Sequence, residues 1–497
     1  MSKKILHFDS YCGYDVFAAS EDGRLSEFSC ELKNRTSIVG NVYKGRVASV
    51  LSGMQAAFID CGLEKNCYLS LEEIYPDELR YDGKNGLPAR LPELKEGNEI
   101  LVQVKKPPVG KKGAKVTAFP SLIGNYVIYM PNVSFVGVSR KIADAELRKN
   151  LIHSAEQFLS DGEGLVFRTA APYARPERIE SEFIYLKNLY AKILSSFKDA
   201  ETGRLLYTDP ELPVRTIRDT LNTEVEKIIA GNTELYALLS EQMSLYPESS
   251  RKPVELFDLP GDMLDATGLG EQIFKIAEPK ADIGNGAYLV IEQTEALTSI
   301  DVNTGAYTGD DSLEQTVYSV NLAAAREIAR QVKLRNIGGI IVVDFIDMTN
   351  PAHNAALVAE LEKELKKDAA KCEIAPMSEF GLVEFTRKRT GVNPAVTMTK
   401  PCKCCRSGYV KATDFALLAL RAKILNMYAG GVKNIRADLS PELFERAHSW
   451  KEFKDDLYKR LQSAKLYLVP RRSYAEDRFS CRTAETFSLP ADAVRFI

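Results

Sequence analysis

The run GIIVVDF, residues 339–345, limits the fold more than any other part of the chain. It is almost wholly apolar up to Asp344. Such a run without alternation predicts a strand at the centre of a covered sheet. Upstream, LTSIDVN (Leu297–Asn303) also reads as a strand, and it carries Asp301 and Asn303 near its end. Residues two apart on a strand point the same way, so Asp301 and Asn303 share a side. Between the two strands, Leu313, Val317, Val320, Ala324, Ile328 and Val332 recur three or four apart. That period predicts an amphipathic helix over 311–335. Asp310 or Asp311 can cap its start, and Gly338-Gly339 can stop it. Strand, helix, strand predicts parallel neighbours, which brings Asp301 and Asp344 to one edge of the sheet. Ligands of α/β sheets sit along that edge.

Two adjacent carboxylates repel unless a cation lies between them. Mg²⁺ fits, because it takes hard oxygens, one or two of them carboxylates, and keeps water and substrate phosphate as its other ligands. Asn303 can donate to a phosphate oxygen without adding repulsion. Asp at strand ends is common, and spacing alone also fits an Asp301 that caps a turn and an Asp344 that opens an ordinary loop. Asp347 reads as structural, a cap for the helix after Pro351. A helix over 353–368 and the strand-like LVEFTRKR complete the unit.

At 497 residues the chain is too long for one ordinary core, so about two to four subdomains or more are expected. The net charge of −3 gives no global positive field, which confines any nucleic-acid contact to local basic patches. No signal peptide and no stretch of about 18 apolar residues is found, so a cytoplasmic protein with no membrane partner is expected. Its nine cysteines should then be reduced. Residues 1–35 read as strands with a turn at Asp22-Gly23. Residues 36–120 show five short strands with glycine turns, which suits a small OB-type barrel. A loop over 76–97 separates the third strand from the fourth. Residues 121–206 are mixed, and 207–272 carry a helical piece, LNTEVEKIIAG.

Within the barrel, Phe58 and Tyr68 fall on successive strands. VKKPPVGKKGAK, residues 104–115, holds five lysines, Lys106 and Lys112 among them, and no acid. Aromatic faces suit bases and lysines suit the phosphate backbone; a buried Phe58 and a merely solvated lysine run fit as well. FRTAA puts Arg168 and Thr169 at a strand end, where both can bind a phosphate; an ordinary surface Arg-Thr pair fits as well. Arg387 and Arg389 of TRKRTG share a face if their strand continues, where they would contact phosphates; a solvated edge strand is the competing reading. PCKCCRSG places Cys402 and Cys405 at C-x-x-C spacing with Cys404 between. Structural zinc wants four ligands, yet the histidines (His7, His153, His353, His448) are scattered. One chain therefore offers half a site, which a second copy would complete; a simple thiol cluster is the alternative.

EALTSIDVNTG, NLAAAREIARQVKLRNIGGIIVVDFIDM and FGLVEFTRKRTG resemble, in this order, the catalytic segment of the ribonuclease E/G family. The likeness runs from GNVYKGRV to the cysteine cluster, and the chain is closest to the short form of the family, without a long disordered extension. It implies a multi-subdomain α+β and α/β fold. An RNase H-like subdomain would use 1–35 and 207–272, and an OB-fold RNA-binding barrel 36–120. A 5′-end sensor would follow over 121–206, a DNase I-like catalytic subdomain over 273–400, a zinc link over 401–411 and a small helical C-terminal domain over 412–497. The resemblance implies that Asp301 and Asp344 hold the catalytic Mg²⁺ and that Asn303 assists. Phe58, Tyr68, Lys106 and Lys112 would clamp single-stranded RNA. Arg140, Arg168 and Thr169 would bind a 5′-monophosphate, with Gly124 and Ile128 shaping the wall. Cys402 and Cys405 would share Zn²⁺ between two chains of a homodimer, leaving open a dimer of dimers. Tyr68 stands where the family has Phe, the PPVG loop departs from it, and Pro401 precedes Cys402 instead of following it. The implied activity is Mg²⁺-dependent endoribonuclease cleavage leaving 5′-phosphate and 3′-hydroxyl ends, with a preference for 5′-monophosphorylated substrates, in RNA turnover and rRNA processing. The rivals are a non-catalytic RNA-binding scaffold with the same fold and a metal-dependent DNA phosphodiesterase.

Overall fold

The computed structural model describes residues 3–33, 38–70, 73, 94–108, 112–139, 141–142, 144–160, 162–221, 224–246, 248–305, 313–368, 370–388, 393–403, 409–484, 489–490 and 492–497. The chain divides into two compact units. One comprises Met1–Leu32, Glu226–Tyr236 and Val254–Ile497, and the other Lys33–Val225 and Ala237–Pro253.

In the first unit a five-stranded sheet runs in the order Val254–Leu256, Val225–Ala230, Lys4–Tyr11, Tyr14–Glu21, Arg24–Leu32. Asp22 and Gly23 both adopt positive φ, 49° and 78°, as a tight hairpin turn between twisted strands requires. The stretch expected to be helical, LNTEVEKIIAG, instead supplies the strand Val225–Ala230. Its few apolar residues fit either period, and pairing of Ile228 with Val254 decides for the sheet.

Glu27 on the strand Arg24–Leu32 pairs with Lys4 at 2.7 Å and with Lys333 of the helix Leu313–Leu334 at 2.9 Å. Burial would raise the pKa of this carboxyl, but Lys333 and Lys4 outweigh it and hold it at about 2. A depressed carboxylate stabilises the fold above its unfolded pKa, and that stability disappears as pH falls through the folded value. Glu27→Gln should therefore lower the urea midpoint at pH 7, with the gap to the wild type closing between about pH 4.5 and 2. A gap independent of pH would refute this.

The second sheet of this unit has the order Lys280–Gly284, Ala287–Gln293, Leu297–Asn303, Gly339–Asp344, Leu382–Arg387, Cys372–Ile374. Leu297–Asn303 and Gly339–Asp344 are parallel, as the helical crossover demands. The helices Leu313–Leu334 and Pro351–Leu365 cover one face, where Val320, Ala324, Ile328, Leu357 and Leu361 pack with Ile300, Ile341, Val343, Val383 and Phe385. Among the described residues, the expected two-sided cover is not found. Ile340 is 51% exposed, and Asp301, Asp344 and Glu384 are exposed with it. The cap of Pro351–Leu365 is Asn350, whose side chain accepts from the Ala352 N–H, and not Asp347. Asp310 and Asp311 lie outside the described residues.

The C-terminal part is α/β where a helical domain was expected. After the helix Thr413–Ala429, a sheet runs in the order Phe479–Thr483, Asn434–Leu439, Lys465–Pro470, Val494–Arg495, beside the helices Pro441–Ser449 and Lys451–Arg460. The strand NIRADL hides its character because Arg436 and Asp438 look like surface residues; they are buried and paired at 2.9 Å.

In the second unit, Val42–Leu51, Ala56–Asp60, Cys67–Ser70, Lys115–Thr117 and Glu99–Lys106 form a barrel, closed by pairing of the first with the last. Val47, Ala57, Ile59, Leu69, Val102 and Val116 fill it. Most of the expected loop over 76–97 lies outside the described residues. A four-stranded sheet, Val136–Val138, Gly164–Phe167, Val127–Met130, Leu122–Ile123, packs on the helix Pro176–Asp199 through Phe183, Leu186 and Ile193.

Candidate active site

Asp301 and Asp344 are direct partners in the parallel register of the central strands. Residues paired this way share a face, so the two carboxylates stand side by side on the open face of the sheet. Asn303 Nδ2 donates to Asp301 Oδ2 at 2.8 Å, as expected for residues two apart on a strand. Just beyond, Gly305 has φ 57°, and a Cβ there would lie 2.1 Å from the Gly286 carbonyl oxygen. Only glycine lets the chain leave the strand so close to its neighbour.

Among the described residues, no lysine or arginine forms an ion pair with Asp301 or Asp344. Nor do three or more His, Cys, Asp or Glu side chains among the described residues gather to hold a metal. The pair thus offers two hard oxygen donors and a neutral amide. That donor set fits Mg²⁺, which takes few protein ligands and leaves positions for water and phosphate.

In the barrel, Phe58 pairs with Tyr68, Tyr68 with Lys115, and Lys115 with Lys106 across four strands. The two rings meet edge to face, centroids 6.1 Å apart. Both are half-buried, and Lys106 and Lys112 are exposed. Two aromatic faces and two lysines therefore share one row. Lys115 was not singled out in the sequence because nothing separates it from the rest of its lysine run; cross-strand register does.

Arg168 follows the strand Gly164–Phe167. Its guanidinium donates to the Gly124 carbonyl and to Asp219 at 2.7 Å. Asp219, also missed in the sequence, has no local signal. A Cβ on Gly124 would lie 2.5 Å from the Glu182 carboxylate, which accepts from the N–H groups of Asn125, Tyr126 and Val127. Burial pushes the Glu182 carboxyl above its usual range despite those donors. Thr169 and Ile128 are half-buried nearby, Ile128 pairing with Val166. Arg140 lies outside the described residues.

Arg387 does not reach the open face. It alternates with Val383 and Phe385 toward the covering helices and is only 4% exposed. Its guanidinium bonds Asp368 at 2.8 Å and the Ile337 carbonyl at 2.9 Å. The expected phosphate contact is replaced by a core ion pair, because β alternation carries it to the buried side. Arg389, Cys404 and Cys405 lie outside the described residues. Cys402, half-buried, directly follows the strand Thr399–Pro401, which pairs with Tyr409–Lys411.

Comparison with known proteins decides the family. Its model, the ribonuclease E/G family, matches residues 121–390. Ribonuclease G of Escherichia coli strain K12 is 35% identical over 413 residues, 82% of this chain and 84% of that protein. This chain belongs to the ribonuclease E/G family. Within it, Ribonuclease G of Haemophilus influenzae is 36% identical over 83% of this chain and 85% of its own length. Ribonuclease E of E. coli K12 is 31% identical over 82% of this chain but only 39% of its own length. The family match spans Arg168, Asp301, Asn303 and Asp344. Among the described residues, no helix is long and apolar enough to cross a membrane.

Proposed function

We propose that this endoribonuclease of the ribonuclease E/G family cuts single-stranded RNA by hydrolysis at the Asp301–Asp344 edge, leaving 5′-phosphate and 3′-hydroxyl ends. The observation that carries the reading is the pairing of two exposed carboxylates in adjacent parallel register with no cation of the described chain between them. Asp301 and Asp344 would hold Mg²⁺, which when bound neutralises charge on a phosphoryl oxygen and acidifies water. Asn303 fixes the Asp301 carboxylate with one amide hydrogen. The other is free in type to donate to a non-bridging phosphate oxygen, since an asparagine amide carries two donors.

Phe58 and Tyr68 stack bases, while Lys106, Lys112 and Lys115 follow the backbone. Arg168 and Thr169, with Arg140, bind a 5′-monophosphate beside Gly124 and Ile128. Cys402 and Cys405 share Zn²⁺ with a second copy, giving a homodimer that can pair again. The setting is cytoplasmic RNA turnover and rRNA processing.

The test is cleavage of one labelled single-stranded RNA bearing a 5′-monophosphate, a 5′-triphosphate or a 5′-hydroxyl, with Mg²⁺ or with EDTA. Cutting should require Mg²⁺ and be fastest on the monophosphate, and Arg168→Ala should level the three rates. Binding without Mg²⁺-dependent cutting would favour an RNA-holding scaffold. Equal wild-type rates on all three ends would remove the sensor.

A further inference from the structure

We propose that Phe380 and Tyr288 are nucleobase platforms on either side of the acidic pair and that they set where the RNA is cut. This rests on Asp301 and Asp344 being the reacting centre.

One row crosses the open face of the catalytic sheet: Lys280, Val290, Asp301, Asp344 and Leu382 are successive register partners. Five strands about 4.8 Å apart make this row about 19 Å long. A single strand of RNA laid along it passes the carboxylates with nucleotides on both sides.

Two aromatic side chains flank the acidic pair: Phe380 lies beyond the Leu382 end of the row, and Tyr288, half-buried, stands on the Val290 strand on the other side. Phe380, two residues before Leu382, is 88% exposed. Gly381 turns the chain there at φ 77°, its Cβ position 3.7 Å from Asp347 Oδ1. A phenyl ring so exposed contributes almost nothing to burial. On the other side, Tyr288 lies directly opposite Asn303, a pairing that holds Cβ atoms about 5 Å apart. Lys280 Nζ stands 3.4 Å from the centroid of the Tyr288 ring. The ring and its ammonium together suit a base and the phosphate attached to it.

The charges on this face favour bases as the handle. Glu292, Ser299, Val342 and Glu384 form the adjacent row, and both glutamates are exposed. A backbone held here by phosphate contacts alone would lie against those carboxylates. Stacking is neutral and meets no such opposition. It is also tolerant of sequence, so the platforms would bias cut positions through stacking strength and not through a base code.

The experiment maps cut positions and KM on an unstructured RNA for the wild type, Phe380→Ala, Phe380→Trp, Tyr288→Ala and Tyr288→Phe, with affinity for the same RNA measured in EDTA by fluorescence polarisation. Each alanine variant should weaken binding and raise KM about tenfold, as loss of one base–aromatic stack does. Each should redistribute the cuts, while kcat and the Mg²⁺ requirement hold. Phe380→Trp and Tyr288→Phe, which keep a ring, should restore the wild-type map. Unchanged affinity and cut positions in both alanine variants would overturn the proposal. Wild-type cutting that survives EDTA would sink the metal reading instead, and the binding and cut maps would still decide the platforms.

Discussion

Asp301→Asn should slow hydrolysis of single-stranded RNA about a thousandfold, because a bound metal supplies several kcal/mol of transition-state stabilisation. Asn keeps the size and shape of the side chain but removes the charge that a divalent ion needs. Asp344→Asn should match it, since the two are equivalent in the register. The fold should not suffer. Both carboxylates are exposed, and removing one of two like charges relieves repulsion. The melting temperature should therefore hold or rise slightly, and RNA affinity in EDTA should stay within about twofold, because the barrel row in the other unit is untouched. Asn303→Ala should cost less, about 10- to 100-fold, as expected for a residue that orients a metal ligand. Wild-type rates in Asp301→Asn, with Mg²⁺ present, would end the reading of this edge as the reacting centre.

The central β-α-β unit is legible in the sequence because period and length agree: an apolar run of strand length, a helical stripe, and a second strand. The acidic pair follows from topology, since the crossover makes the strands parallel and puts both aspartates at one end. The open face is not legible. Ile340 and Val342 are as apolar as Ile341 and Val343, and only three-dimensional cover tells the two sides apart. The same blindness acts in reverse at NIRADL, where a buried Arg436–Asp438 pair disguises a strand as surface. Charge in a sequence reads as exposure, and apolarity reads as burial, so a buried ion pair and an exposed aromatic are the two features that sequence patterning misplaces.

Arg387 is the test of that rule with the larger consequence for the fold. Read from TRKRTG it is a phosphate ligand; in the structure its guanidinium is held by Asp368, Asn336 and the Ile337 carbonyl, at 2.8, 2.9 and 2.9 Å. The side chains of Arg387 and Asp368 are 3% and 7% exposed. Arg387→Ala leaves the Asp368 carboxylate buried without its partner, which should cost about 3–5 kcal/mol. It should appear as a lower urea midpoint at unchanged slope. Replacing both partners together, Arg387→Met with Asp368→Leu, should recover most of the loss, because an apolar pair of similar volume carries no desolvation penalty. Lys388→Ala, one residue on and exposed, should leave the midpoint within about 0.5 kcal/mol of the wild type. RNA affinity of folded Arg387→Ala, measured well below its midpoint, should match the wild type. An unchanged midpoint with RNA affinity lost would put Arg387 back on the substrate and the core ion pair out of the account.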